Sequence, residues 1–177
     1  MDKLFKIDFS RGFKTEEHIK MIRNNPAVLQ KIVNQTEEIC LEAVKRDVDT
    51  LKYVTNQTET ICLEAVKKDG NAIEYVKNQT EAICLEAIRQ NRWSLILIRN
   101  PTYAMCSEVL KSDTGIIKYI KNQTEAICLE AVKRNGMTLK YVQNQTEAIC
   151  LEAVKKDGRA VQYVKNQTEA ICLEAVK

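Results

Sequence analysis

The chain has 177 residues, 45% hydrophobic and 29% charged, and its 27 basic and 24 acidic side chains leave a formal net charge of +3. That mix marks one soluble folded domain, and five glycines with two prolines leave no room for a disordered linker. The near balance of charge lacks the strongly basic footprint of a dedicated nucleic-acid binder, so nucleic acid is not the expected partner. The longest aliphatic run, Leu95, Ile96, Leu97 and Ile98, falls far short of the roughly 20 apolar residues that span a bilayer. The opening MDKLFKIDFSRGFK has no apolar h-region, so neither membrane insertion nor secretion is expected.

Cysteines stand at 40, 62, 84, 106, 128, 150 and 172, each 22 residues after the last, and NQTEAICLEAVK occurs unaltered at 122–133, 144–155 and 166–177. Self-similarity at such a period is the mark of a solenoid, in which each unit buries its apolar face against its neighbours. The expected fold is therefore all-α: a solenoid of stacked helix-turn-helix repeats with a period of 22 residues, by analogy a right-handed superhelix. Read along the chain, 1–177 is a single domain with an N-terminal cap at 1–11 and a degenerate first repeat at 12–33. Six repeats at 34–165 and a half repeat at 166–177 follow.

Residues 56–77 serve as the type unit. Thr58 is placed to cap a first helix, Glu59 suits its N-terminal end and Lys67 and Lys68 suit its last turn. Asp69-Gly70 stops it, and a second short helix runs over 72–77. Asn78 then fits a left-handed closing residue, and Thr80 opens the next unit. The Asn-Gln-Thr triplets match a glycosylation acceptor, but a motif repeated in every unit reads more simply as helix punctuation, with stacked asparagines bonding to the next turn's backbone.

An odd number of cysteines argues against a disulfide framework, and stacked helices sit too far apart for equivalent cysteines to pair. The thiols are expected to be reduced, small and buried. No second Cys or His stands at ligand spacing, and His18 is the only histidine; no metal or other cofactor is expected.

Residues 89–121 depart most from the repeat. Trp93 takes the place of Asp49 and Asn71, Ile96 that of Lys52 and Glu74, and Leu97 that of Tyr53 and Tyr75. Their i, i+3, i+4 spacing puts all three on one side of the short helix, along a stripe that is polar elsewhere. Tyr119 and Met137 stand at equivalent positions one and two repeats on and extend the stripe. An exposed Trp rimmed by Arg92 and Arg99 has the composition of a binding hot spot; the alternative is that 101–115, with Pro101 and Tyr103, packs back over it.

The pairs Lys45-Arg46, Lys67-Lys68, Lys133-Arg134 and Lys155-Lys156 recur down one edge and offer a weak phosphate-binding reading. Glu42, Glu64, Glu130 and Glu152 stand four residues before each second cation, which favours local ion pairs instead. At the C-terminus, Ile171, Cys172, Ala175 and Val176 are expected to have fewer neighbours than their equivalents, which makes them candidates for self-association. Polar residues lie in evenly spaced rows and converge nowhere, so no catalytic residue is expected and the chain reads as no enzyme.

Asn-x-Thr-Glu, Ile-Cys-Leu-Glu-Ala-Val, Asp-Gly and Tyr-Val recur in that order over nearly everything after Arg11. In this the chain resembles the short helical repeats of an uncharacterised domain family abundant in giant DNA viruses that infect amoebae. The resemblance implies a viral protein of the infected cell's cytoplasm or the virion, with no defined activity. Together, these features lead to the expectation of a protein-interaction scaffold with a protein partner of unknown identity; the alternative is a homo-oligomer built from copies of the chain.

Overall fold

The computed structural model describes residues 14–177, and among them every regular element is helical. Eight α-helices, α1 (Thr15–Asn24), α2 (Glu37–Arg46), α3 (Glu59–Lys68), α4 (Glu81–Gln90), α5 (Tyr103–Leu110), α6 (Glu125–Arg134), α7 (Glu147–Lys156) and α8 (Glu169–Ala175), recur at the 22-residue period. They alternate with six-residue 3₁₀ helices: η1 (Pro26–Lys31), η2 (Val48–Tyr53), η3 (Gly70–Tyr75), η4 (Arg92–Leu97), η5 (Thr114–Tyr119), η6 (Gly136–Tyr141) and η7 (Gly158–Tyr163). The repeat is thus an α-helix followed by a 3₁₀ helix, and the proposed cap at 1–11 lies outside the described residues.

Each α-helix from α2 onward begins as its sequence predicts. Thr36, Thr58, Thr80, Thr102, Thr124, Thr146 and Thr168 are extended, and each hydroxyl accepts from the backbone N–H three residues on at 3.3–3.5 Å. In α1 to α4, α6 and α7 the stop is an Asp or Asn in extended conformation, such as Asp69 (φ −144°, ψ 114°), whose carboxylate also accepts from Asn71 N–H at 2.8 Å to open the 3₁₀ helix. One residue thereby closes one helix and caps the next, whereas α5 and α8 end at Lys111 and Val176 in helical conformation.

Two local expectations change here. The second segment is a 3₁₀ helix over Gly70–Tyr75, not 72–77, because the cap at Asp69 starts it at once. Asn78 is not left-handed: no described residue has positive φ, since the chain leaves η3 through an extended Val76 (φ −73°, ψ 120°) that turns without it.

Gly70 answers to a different demand from the one its Asp-Gly context suggests. A Cβ there would stand 2.5 Å from the carbonyl oxygen of Ala87 and 2.8 Å from Ser94 Oγ, so glycine lets α4 close onto η3. The equivalent residue is Val48 in η2, which shows that the turn itself does not require it.

The described residues form two compact units, 14–98 and 99–177. Within the first, α1 to α4 pack in sequence, the 3₁₀ helices pack beside one another, and each α-helix also meets its flanking 3₁₀ helices. The buried residues fall between these two rows: Ile61, Cys62, Ala65 and Val66 of α3 with Ala72, Ile73 and Val76 after it. The second unit repeats the scheme with α5 to α8 and η5 to η7, burying Ile127, Cys128, Ala131 and Val132 of α6 with Leu139 and Val142.

Candidate interaction surface

What locks the repeats in register is a row of glutamines. Gln57 Nε2 donates to Leu51 O and to Tyr75 O, both at 3.0 Å, and its Oε1 accepts from Lys77 N–H at 2.8 Å and from Cys62 Sγ at 3.8 Å. Gln35, Gln123 and Gln145 make the same bridge between consecutive 3₁₀ helices. The expected ladder exists, but glutamine carries it; Asn34, Asn56, Asn78, Asn122, Asn144 and Asn166 are exposed one residue earlier. The signal was present in the sequence, since Gln recurs with the same step as Asn. Pro101 interrupts the row, because a pyrrolidine ring has neither the donors nor the acceptor.

A second row joins the helix starts. The Thr58 hydroxyl, while capping α3, donates to Glu37 of the preceding helix at 2.6 Å, and Thr80, Thr146 and Thr168 do the same to Glu59, Glu125 and Glu147. These glutamates therefore serve the packing of repeats as well as the helix dipole.

All seven cysteines are free, and six are buried. Burial pushes the Cys40 and Cys106 thiols up to about 11, with the nearby Glu37 carboxylate adding to the effect at Cys40. Such thiols are poor nucleophiles. Cys172 differs from the buried expectation: it is exposed on α8, which packs on α7 and η7. Among the described residues no three His, Cys, Asp or Glu side chains gather as a metal site.

The basic pairs are only partly matched by the expected ion pairs. Arg46 meets Glu42 at 2.9 Å and Arg134 meets Glu130 at 2.6 Å, whereas Lys68 Nζ instead donates to the carbonyls of Lys45 and Arg46 at the end of α2. Cations at a helix C-terminus suit its dipole.

The departures from the repeat come to the surface on η4. Trp93 is 41% and Ile96 40% exposed, Leu97 is half-buried, and Arg92 is exposed beside them, while Ser94 and Leu95 on the opposite side are buried. Asn91, the cap of η4, holds the Trp93 backbone N–H at 3.0 Å and also donates through Nδ2 to Asn71 Oδ1 at 2.9 Å. The apolar triad thus stands on a 3₁₀ helix fixed at its start and not on a loop.

In the second unit Arg99 is exposed, Tyr119 is 46% exposed and Met137 is half-buried. Of the residues considered for self-association, Ile171 is buried, Ala175 half-buried, and Cys172 and Val176 exposed, with Leu173 beside them, which sequence reasoning passed over. Leu173 gave no signal because its equivalents in the other NQTEAICLEAVK blocks are half-buried.

Comparison with known families adds one match. The model of a domain of unknown function, DUF4116, matches residues 37–81 and 124–168, together about half of the chain. The chain belongs to the DUF4116 family. Each DUF4116 match spans two repeats and lies inside one compact unit. Residues 82–123, between the two matches, contain η4 and its Trp93. No curated protein and no solved structure matches the chain.

Proposed function

We propose that this DUF4116 protein is a non-catalytic interaction scaffold that holds a protein partner on its 3₁₀ row. Trp93, Ile96 and Leu97, flanked by Arg92, are the anchors in the first unit; Tyr119, Met137 and Arg99 are the candidates in the second. The observation that carries the reading is the exposure of Trp93 and Ile96 on a short helix whose other face is fully buried. A Trp beside an aliphatic side chain and a guanidinium is the composition that dominates binding energy at protein interfaces. The absence of catalysis is supported by the engagement of Gln, Thr and Glu in repeat-to-repeat bridges and by thiols held protonated.

The resemblance to arrays of giant DNA viruses supports a viral protein acting in the cytoplasm of an infected cell or in the virion. No helix among the described residues is long and apolar enough to cross a membrane.

Site-specific photo-crosslinking tests the scaffold. A crosslinker at position 96 is expected to form discrete protein adducts in an extract of host cells, and one at the α-side position 67 is not. Adducts from 67 alone would place the binding face on the α-helices and end this reading.

A second reading, assembly of copies through α8, is favoured by the exposure of Leu173 and Val176. Sedimentation of the 177-residue chain distinguishes it: a mass independent of concentration removes it.

A further inference from the structure

The overall balance of charge conceals a segregation in the second unit. Segments 114–121, 136–143 and 158–165, which contain η5, η6 and η7, carry Lys118, Lys121, Lys140, Arg159 and Lys165 and no acidic residue. Of the counterparts in the first unit, 48–55 and 70–77 are mixed, with Asp49 beside Lys52 and Glu74 beside Lys77, while 26–33 and 92–98 carry only Lys31 and Arg92. Arg159 is engaged by Asp157 through two bonds, at 3.0 and 2.9 Å, and Lys165 Nζ donates to Gln143 O at 2.8 Å. The cationic character of this edge therefore rests on Lys118, Lys121 and Lys140, all exposed.

These cations come with aromatic rings. Lys118 Nζ lies 5.4 Å from the Tyr119 ring centre and 6.0 Å from that of Tyr141, and Lys140 Nζ lies 4.8 Å from the Tyr141 ring centre. Tyr119 is almost half exposed, and the half-buried Tyr141 and Tyr163 continue the row on η6 and η7. One aromatic ring per repeat, interleaved with ammonium groups, is what a single strand of nucleic acid requires: phosphates follow the cations and bases stack on the rings. Helical arrays can meet such a strand in step with their own repeat. An acidic peptide would use the cations but leave the aromatic row without a role.

We infer that the η5–η7 edge of the second unit binds single-stranded nucleic acid, with Lys118, Lys121 and Lys140 on phosphates and Tyr119 and Tyr141 as stacking platforms. Tyr119 is also a candidate anchor for the protein partner, but the test uses the purified chain with an oligonucleotide and does not depend on that partner. The measurement is fluorescence anisotropy of a labelled oligouridylate titrated with the full chain over a series of salt concentrations, with thermal unfolding to confirm that each variant is folded.

Affinity is expected to fall as salt rises, and Lys118→Gln with Lys140→Gln should make the log–log slope shallower by about 1.4, at about 0.7 for each phosphate no longer neutralised. Tyr119→Ala should weaken binding about tenfold, the effect of removing one stacking ring. Lys155→Gln with Lys156→Gln, on the α side, should leave it unchanged. The inference is overturned if oligouridylate does not bind at low salt, or if the α-side pair decides affinity. It is equally overturned if polyglutamate competes as well as oligouridylate does and Tyr119→Ala has no effect, the behaviour of a surface for acidic proteins.

Discussion

A glutamine side chain has two N–H donors and one oxygen that accepts twice, and in Gln57 every one of these has a partner. Gln57→Ala would remove the bonds to Tyr75 O and Lys77 N–H and one of the two bonds to Leu51 O, which keeps the Val54 N–H; at about 1 kcal/mol for each bond it should destabilise the first unit by about 2–3 kcal/mol. Ser94 is the opposite case. Its hydroxyl is buried with no hydrogen-bond partner among the described residues, whereas its equivalents Thr50 and Thr138 donate to Asp47 O and Asn135 O at 2.6 and 2.7 Å. Ser94→Ala is therefore expected to raise stability by about 1 kcal/mol in denaturant titration; a loss of stability would mean that the hydroxyl has a partner.

The thiols give a further residue-scale test. Cys40 and Cys106 keep their protons in the folded state up to about pH 11, against 9.0 for a thiol in water. In the unfolded chain these thiols ionise first, so above pH 9 the unfolded state has shed protons that the folded one retains. Their contribution to stability is whole below pH 9 and is lost as pH rises through that window. At neutral pH, alkylation followed by mass spectrometry should modify the exposed Cys172 first and Cys106 last. Equal rates would contradict the burial of the row.

At the scale of the element, much was legible in the sequence and the rest was hidden for identifiable reasons. Thr capping, the 22-residue period and the buried Ile, Cys, Ala and Val positions follow from side-chain chemistry and spacing alone. The 3₁₀ form of the second helix did not, because six residues between two caps give too few turns for a period to register. The glutamine row was masked by the Asn and Thr on either side of it, both of which have better-known local roles. Trp93 was recognisable as a departure, but its exposure depended on which side of η4 faces the core, a fact settled by packing. Gly70 looked like a turn residue, yet its role is to admit the Ala87 carbonyl of α4. Gly70→Ala should accordingly cost about 1–3 kcal/mol through overpacking. Gly115→Ala should cost little, since a Cβ there meets only Asp113 Oδ1 at 3.2 Å.

At the scale of the whole chain, each compact unit separates what holds it together from what it displays. Aliphatic side chains between the two rows, glutamine bridges between 3₁₀ helices and Thr–Glu bonds between α-helix starts recur with the repeat, while the outward positions of the 3₁₀ helices vary: Asp49, Asn71 and Trp93 in one unit, Gly115, Met137 and Arg159 in the other. A scaffold of this kind changes partner by changing those positions without changing fold. Equilibrium unfolding of Gln57→Ala beside the double variant Trp93→Ala with Ile96→Ala tests that separation most directly. The glutamine variant is expected to lose about 2–3 kcal/mol and the double variant, which truncates side chains already in contact with water, about 1 kcal/mol or less. A double variant that unfolds the first unit while Gln57→Ala leaves it intact would show that Trp93 and Ile96 belong to the core, and the account would fail.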